Sequence, residues 1–125
     1  MALAAAAGCG QQTNYANDPR PPSPLTVTAS INAQRVSISP TRVGAGPITL
    51  IVANAADTSV DVHVEPVGAP GPSAQSGPIN PGGTTSISID ARSGNYRVSA
   101  KGAPQAATLR VGRPRPSAQN DVLLP

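Results

Sequence analysis

A single histidine, His63, lies between two carboxylates at alternate positions, Asp61 and Glu65. Alternate residues of an extended strand share a face, so this trio could offer two oxygens and one imidazole to a divalent cation such as zinc. The competing reading is a solvated strand face whose carboxylates pair with basic neighbours, since isolated ligands on one flat strand seldom converge without help from elsewhere. Acyl transfer would need a serine beside His63, oriented by Asp61. Both residues lie on one strand surface, and no G-x-S-x-G elbow is present. No phosphate-cradling loop or dinucleotide fingerprint occurs, and none of the six carboxylates falls in a recognisable glycosidase context. The residue types therefore argue against an enzyme, and they identify neither a cofactor nor a small-molecule substrate.

The other reactive side chain is Cys9, the only cysteine, at the end of MALAAAAGCG. Small residues Ala6-Ala7-Gly8 directly before a cysteine resemble the lipobox of bacterial lipoproteins, in which the thiol accepts a diacylglyceryl group. Ala6 stands where Leu is commoner. The stretch lacks a basic start and a full apolar run of about 7–15 residues, so residues 1–9 read as the remnant of a longer signal peptide. The alternative is an Ala-rich tail that happens to contain one cysteine. Residues 10–24, GQQTNYANDPRPPSP, are polar and proline-rich, as suits a tether holding a domain off a bilayer. With no second cysteine a disulfide within the chain is impossible, and acylation would remove the liability of an exposed thiol. A bacterial-type lipoprotein carries at least two acyl chains, enough for stable anchoring. The expectation is an exported protein, on the outer face of the cell membrane or in the periplasm, whose membrane partner is engaged through lipid on Cys9.

Fifteen prolines and twelve glycines argue against long helices. With two tyrosines and neither Phe nor Trp, the core must be built from aliphatic side chains. The net charge is +3, but the nine basic residues are scattered, without a run or interleaved aromatics to stack bases, so nucleic acid is not the expected partner. Arg97 and Lys101 share an outward face and Arg110 lies on the next strand. If those strands pair, a small basic stripe results, able to touch anionic headgroups near the anchor. Ordinary surface charge offset by acids is the competing reading.

From Leu25 the hydrophobic period is two. Val60, Val62 and Val64 alternate with Asp61, His63 and Glu65; Tyr96, Val98 and Ala100 alternate with Arg97, Ser99 and Lys101; Leu109 and Val111 alternate with Thr108 and Arg110. Runs 25–29, 35–39 and 85–90 behave alike. Ile48-Thr49-Leu50-Ile51-Val52 is apolar at nearly every position and is expected to be central and covered on both sides. Pro81-Gly82 fits the centre of a type II turn. Segment 68–77, GAPGPSAQSG, reads as a loop without regular structure. About seven short strands predict an all-β, two-sheet antiparallel Greek-key sandwich over 25–112, with 113–125 as a C-terminal tail. No run approaches the roughly 20 apolar residues of a membrane-spanning helix.

Three motifs carry a family likeness. Val43–Asn54 resembles the cupredoxin strand that ends in Asn before a ligand-bearing loop. Gly77–Thr85 resembles the cupredoxin turn of the form I-x-P-G-x-T, and Ser93–Val98 resembles the G-x-Y-x-V strand. The likeness covers about 25–112 and implies a cupredoxin-like sandwich. That family holds copper through two His, a Cys and usually a weak Met. The corresponding positions fall near Val60, Ala100, Ala103 and Thr108, so none of the four ligands carries over. The resemblance thus implies a copper-free domain. The expected function is a non-catalytic, lipid-anchored binding or scaffold module of the cell envelope, engaging an envelope protein or polymer. The alternative is weak periplasmic handling of divalent metal by His63 and its neighbouring carboxylates.

Overall fold

The computed structural model describes residues 22–116, and all the regular structure there is β. Eight strands follow one another: β1 Leu25–Ile31, β2 Val36–Ser39, β3 Arg42–Asn54, β4 Val62–Val67, β5 Ala74–Gln75, β6 Thr84–Ala91, β7 Gly94–Ala100 and β8 Ala103–Pro114. Cys9 and the region 117–125 lie outside the described residues. Among those residues no helix is long and apolar enough to cross a membrane.

The alternation written into the sequence becomes burial. Val60, Val62 and Val64 are buried, as are Tyr96, Val98, Ala100, Leu109 and Val111, while the residues between them are half-buried or exposed. Each strand thus contributes a row of aliphatic groups to one shared interior, at about 25 cal/mol per Å² of apolar surface removed from water. Two groups of ladders enclose it. In one, β1 pairs β2 antiparallel and β3 parallel, and β3 pairs β6 antiparallel. In the other, β8 pairs the start of β3 parallel and β7 antiparallel, β7 pairs β4, and β4 pairs β5. Ile48, Leu50 and Ile87 of the first group face Val64, Val98 and Leu109 of the second across a void of about 10 Å³. That volume is at the lower limit for one water, and its walls are apolar, so it stays dry.

β3 belongs to both groups and changes between them at a corner. Arg42 to Gly44 lie beside β8, the register shifts between Gly44 and Ala45, and from Gly46 onward the strand pairs with β6. Gly46 has φ +138°, which a side chain adopts with strain, and a Cβ there would stand 2.9 Å from Pro22 Cγ. The molecule therefore has two ends. Pro22, the Gly46 corner, Arg92–Gly94 and Arg110–Arg115 share one. The other gathers the β1–β2 turn, Asn54–Val60, Ile79–Gly83 and Lys101–Gly102.

Turn chemistry follows the residues. The Gly83 N–H donates to Asn80 O at 2.8 Å and Gly82 has φ +76°, as a type II turn centred on Pro81-Gly82 requires. Between β1 and β2, Asn32 Oδ1 accepts from the amides of Gln34 and Arg35 at 2.8 and 2.9 Å, an Asx turn.

Four expectations are corrected. The sheet is not purely antiparallel, since β1–β3 and β3–β8 are parallel. Segment 68–77 is not wholly irregular: Ala74 and Gln75 pair with Val64 and His63 as β5, which brings the strands to eight where about seven were expected. Ile48–Val52 is not covered on both faces. Ile48, Leu50 and Val52 are buried, but Ile51 is 41% exposed opposite Ser86 of β6. β8 also runs two residues past Gly112, to Pro114.

Candidate functional site

The end of the molecule at which β3 finishes is organised by one buried polar side chain. Asn54 closes β3 and is 1% exposed. Its Nδ2 donates to Ile79 O at 2.8 Å and Thr58 O at 2.9 Å, and its Oδ1 accepts from the Ala56 amide at 2.9 Å. Its backbone N–H donates to Gly83 O, and its carbonyl accepts from the Gly82 amide. A buried amide whose donors and acceptors are all engaged stabilises its surroundings instead of offering a ligand site. Asn54 holds the 55–59 loop against the 79–83 turn.

Around it three of the four positions that the resemblance pairs with metal ligands, Val60, Ala100 and Ala103, are apolar and packed. Val60, Ala100 and Ala103 are buried, with Val60 bridged to Ile79 and Ala100 opposite Ala103. Only Lys101 and Gly102 lie between β7 and β8; Gly102 has φ +94° and the Lys101 amide donates to Asp61 O at 3.2 Å. This two-residue turn holds no imidazole, thiolate or thioether. Thr108 is exposed within β8, opposite Arg97. Among the described residues, the side chains at these four positions are not the imidazole, thiolate and thioether donors that a mononuclear copper ion takes.

His63 and Glu65 are alternate residues of β4, while Asp61 directly precedes that strand; Asp61 and His63 are half-buried and Glu65 is exposed. Two-residue steps along a strand are roughly 6.6 Å, so Asp61 and Glu65 stand roughly 13 Å apart along the backbone. His63 is opposite Ser99 on one side and Gln75 on the other, and Glu65 is opposite Arg97. Among the described residues no group of three or more His, Cys, Asp or Glu is placed to hold a metal ion. A shallow concavity of about 330 Å³ at the Asn54 end is lined by Asn32–Gln34 and Ala55–Asp57, with Asp57 its one charged group.

The expected basic stripe is redrawn. β7 and β8 do pair, which sets Arg97 and Arg110 diagonally on one face, opposite Thr108 and Asn95 respectively. Lys101 is in the turn at the Asn54 end, away from both. The partner that sequence reasoning missed is Arg42, which lies directly opposite Arg110 in the parallel β3–β8 ladder. Sixty-eight residues separate the two, and no local pattern signals their meeting. Arg115 also went unremarked: its Nη1 donates to Ser23 O at 2.8 Å, Nη2 to Pro47 O, and its amide to Ala45 O at 2.9 Å.

No protein family and no curated protein sequence matches the chain. Solved structures do. Auracyanin A, a blue copper protein from the green thermophilic photosynthetic bacterium Chloroflexus aurantiacus, is similar with a TM-score of 0.55 at 16% identity, over 72% of this chain and 100% of that one. Auracyanin from the photosynthetic bacterium Roseiflexus castenholzii is similar with a TM-score of 0.50 at 13% identity, over 73% of this chain and 98% of that one. At such identities the likeness concerns architecture, and the described domain has a cupredoxin-like all-β fold.

Proposed function

We propose that the protein is a non-catalytic module of the cell envelope, anchored through lipid on Cys9, in which a cupredoxin-like frame has no copper centre and serves to bind or scaffold an envelope protein or polymer. The observation that carries the copper-free reading is the closure of the Asn54 end: Val60, Ala100 and Ala103 are buried where ligands would be needed, across a two-residue turn. The anchor rests on Ala6-Ala7-Gly8-Cys9 and on the polar segment that follows. Fold alone does not dictate function, and the absence of an assembled nucleophile–base pair among the described residues favours binding over turnover.

Two measurements test this reading. The purified full chain titrated with micromolar Cu(II) or Zn(II) is expected to show neither binding nor a thiolate-to-copper absorption band. Micromolar binding lost on His63→Ala would support the metal-handling alternative instead. Detergent phase partitioning of the protein expressed with its native upstream sequence is expected to place it in the detergent phase and Cys9→Ala in the aqueous phase. Equal aqueous recovery of both would overturn the anchor.

A further inference from the structure

The charges of the domain are sorted along its length. Among the described residues, the Pro22 end carries Arg42, Arg92, Arg110, Arg113 and Arg115 against a single carboxylate, Asp90. The Asn54 end carries Arg35 and Lys101 against Asp57 and Asp61, and between the ends Arg97 of β7 stands opposite Glu65 of β4. The excess positive charge of the described residues is thus entirely at one end.

Within that end the arrangement is costly. Arg42 and Arg110 are direct cross-strand neighbours, and like charges so placed repel. The row they begin continues to Asn95 and Val67, with no carboxylate in register. Arg113 is exposed three residues beyond Arg110, and Arg92 is exposed nearby. An exposed like-charged pair with no carboxylate in its row among the described residues suits an anionic surface that lowers the repulsion on contact. The end is also where the chain departs toward residue 9, because Arg115 holds Ser23 and Pro22 packs against the Gly46 corner. Thirteen residue steps, at most about 45 Å, separate Pro22 from Cys9.

We propose that the Pro22 end, through Arg42, Arg92, Arg110 and Arg113, docks on an anionic phospholipid bilayer. The inference rests on the reading that Cys9 is acylated, for a tether of this length keeps the arginines at high local concentration over the headgroups, where a weak patch suffices. Docking fixes the orientation: the Asn54 end, with the 55–59 loop and the 79–83 turn, points away from the lipid and is presented to envelope partners.

The test uses the full chain carrying Cys9→Ser, so that no lipid contributes, and vesicles of phosphatidylglycerol with phosphatidylcholine against phosphatidylcholine alone. Sedimentation is expected only with the anionic vesicles and is expected to fade as salt rises toward 0.5 M, where screening shortens to a few ångströms. Each arginine near the surface changes partitioning about fivefold, so R42Q/R110Q/R113Q is expected to weaken it on the order of a hundredfold. R35Q/K101Q, at the opposite end, is expected to leave it unchanged. Partitioning indifferent to lipid charge or to salt overturns the proposal, as does a triple variant equal to the parent. Capture by soluble polyphosphate without vesicle binding overturns it too. If the triple variant does not fold, the salt and lipid-charge series on the parent decides. Failure of acylation is read separately, in the detergent partitioning of the protein that retains Cys9.

Discussion

Nη1 of Arg115 donates to the carbonyl of Ser23 at 2.8 Å, joining residues 92 positions apart and bringing the two termini of the described domain to one end. The same guanidinium reaches Ala45 O and Pro47 O on either side of Gly46, so one planar fork serves three carbonyls from two segments. Replacing it with alanine takes this donor from the carbonyls of Ser23 and Pro47, while Ala45 O keeps its bond from the residue-115 amide. Arg115→Ala is expected to cost about 1–2 kcal/mol, measured by urea unfolding, and to hasten limited proteolysis near Ser23. Arg115→Lys is expected to recover little of this, because an ammonium on a flexible stem cannot reproduce the fork.

Tyr96 provides the second test. The residue is 2% exposed and its Oη accepts from the Arg92 amide at 2.9 Å, bracing the β6–β7 corner. Tyr96→Phe keeps the ring and is expected to cost about 1–2 kcal/mol. Gly71 lies so close that a Cβ would stand 2.7 Å from that oxygen. Gly71→Ala is therefore expected to destabilise the parent but much less so the Tyr96→Phe variant, giving a coupling of about 1 kcal/mol in a double-mutant cycle.

Asn54 is the buried polar residue on which its end of the domain depends. Asn54→Ala removes three side-chain hydrogen bonds and is expected to cost on the order of 3 kcal/mol, read by thermal or chemical unfolding. Asn54→Asp is expected to cost more at neutral pH, since a carboxylate oxygen would then face the carbonyls of Thr58 and Ile79.

Ile51 offers the converse. It is 41% exposed and points away from the interior that Leu50 and Val52 fill. Ile51→Thr is expected to change stability by no more than about 0.5 kcal/mol, whereas Leu50→Ala is expected to cost about 2–5 kcal/mol through lost burial and a cavity. Unfolding curves of the pair distinguish a half-covered strand from one buried on both faces.

Much of the strand content was legible because a period of two is a local signal. Val60, Val62 and Val64, or Tyr96, Val98 and Ala100, declare their inward face without knowledge of their neighbours. The Pro81-Gly82 turn was equally local, set by one fixed φ and one positive φ. What escaped depended on partners distant in the chain. β5 is two residues whose pairing with His63 and Val64 leaves no side-chain pattern. Ile51 looks buried in an apolar run, and only the course of the other strands decides that nothing among the described residues covers it. That Val60, Ala100, Ala103 and Thr108 are not soft metal donors was legible by residue type alone. The arginine end was not, because the parallel pairing that sets Arg42 beside Arg110 is a property of the closed topology.

β3 threads both ladder groups, so its first residues and its last are hydrogen-bonded to different halves of the core. Neither half can detach while the other persists without tearing this strand from its neighbours. The loss of order is therefore expected to be all-or-none, with backbone and tyrosine probes giving one coincident transition.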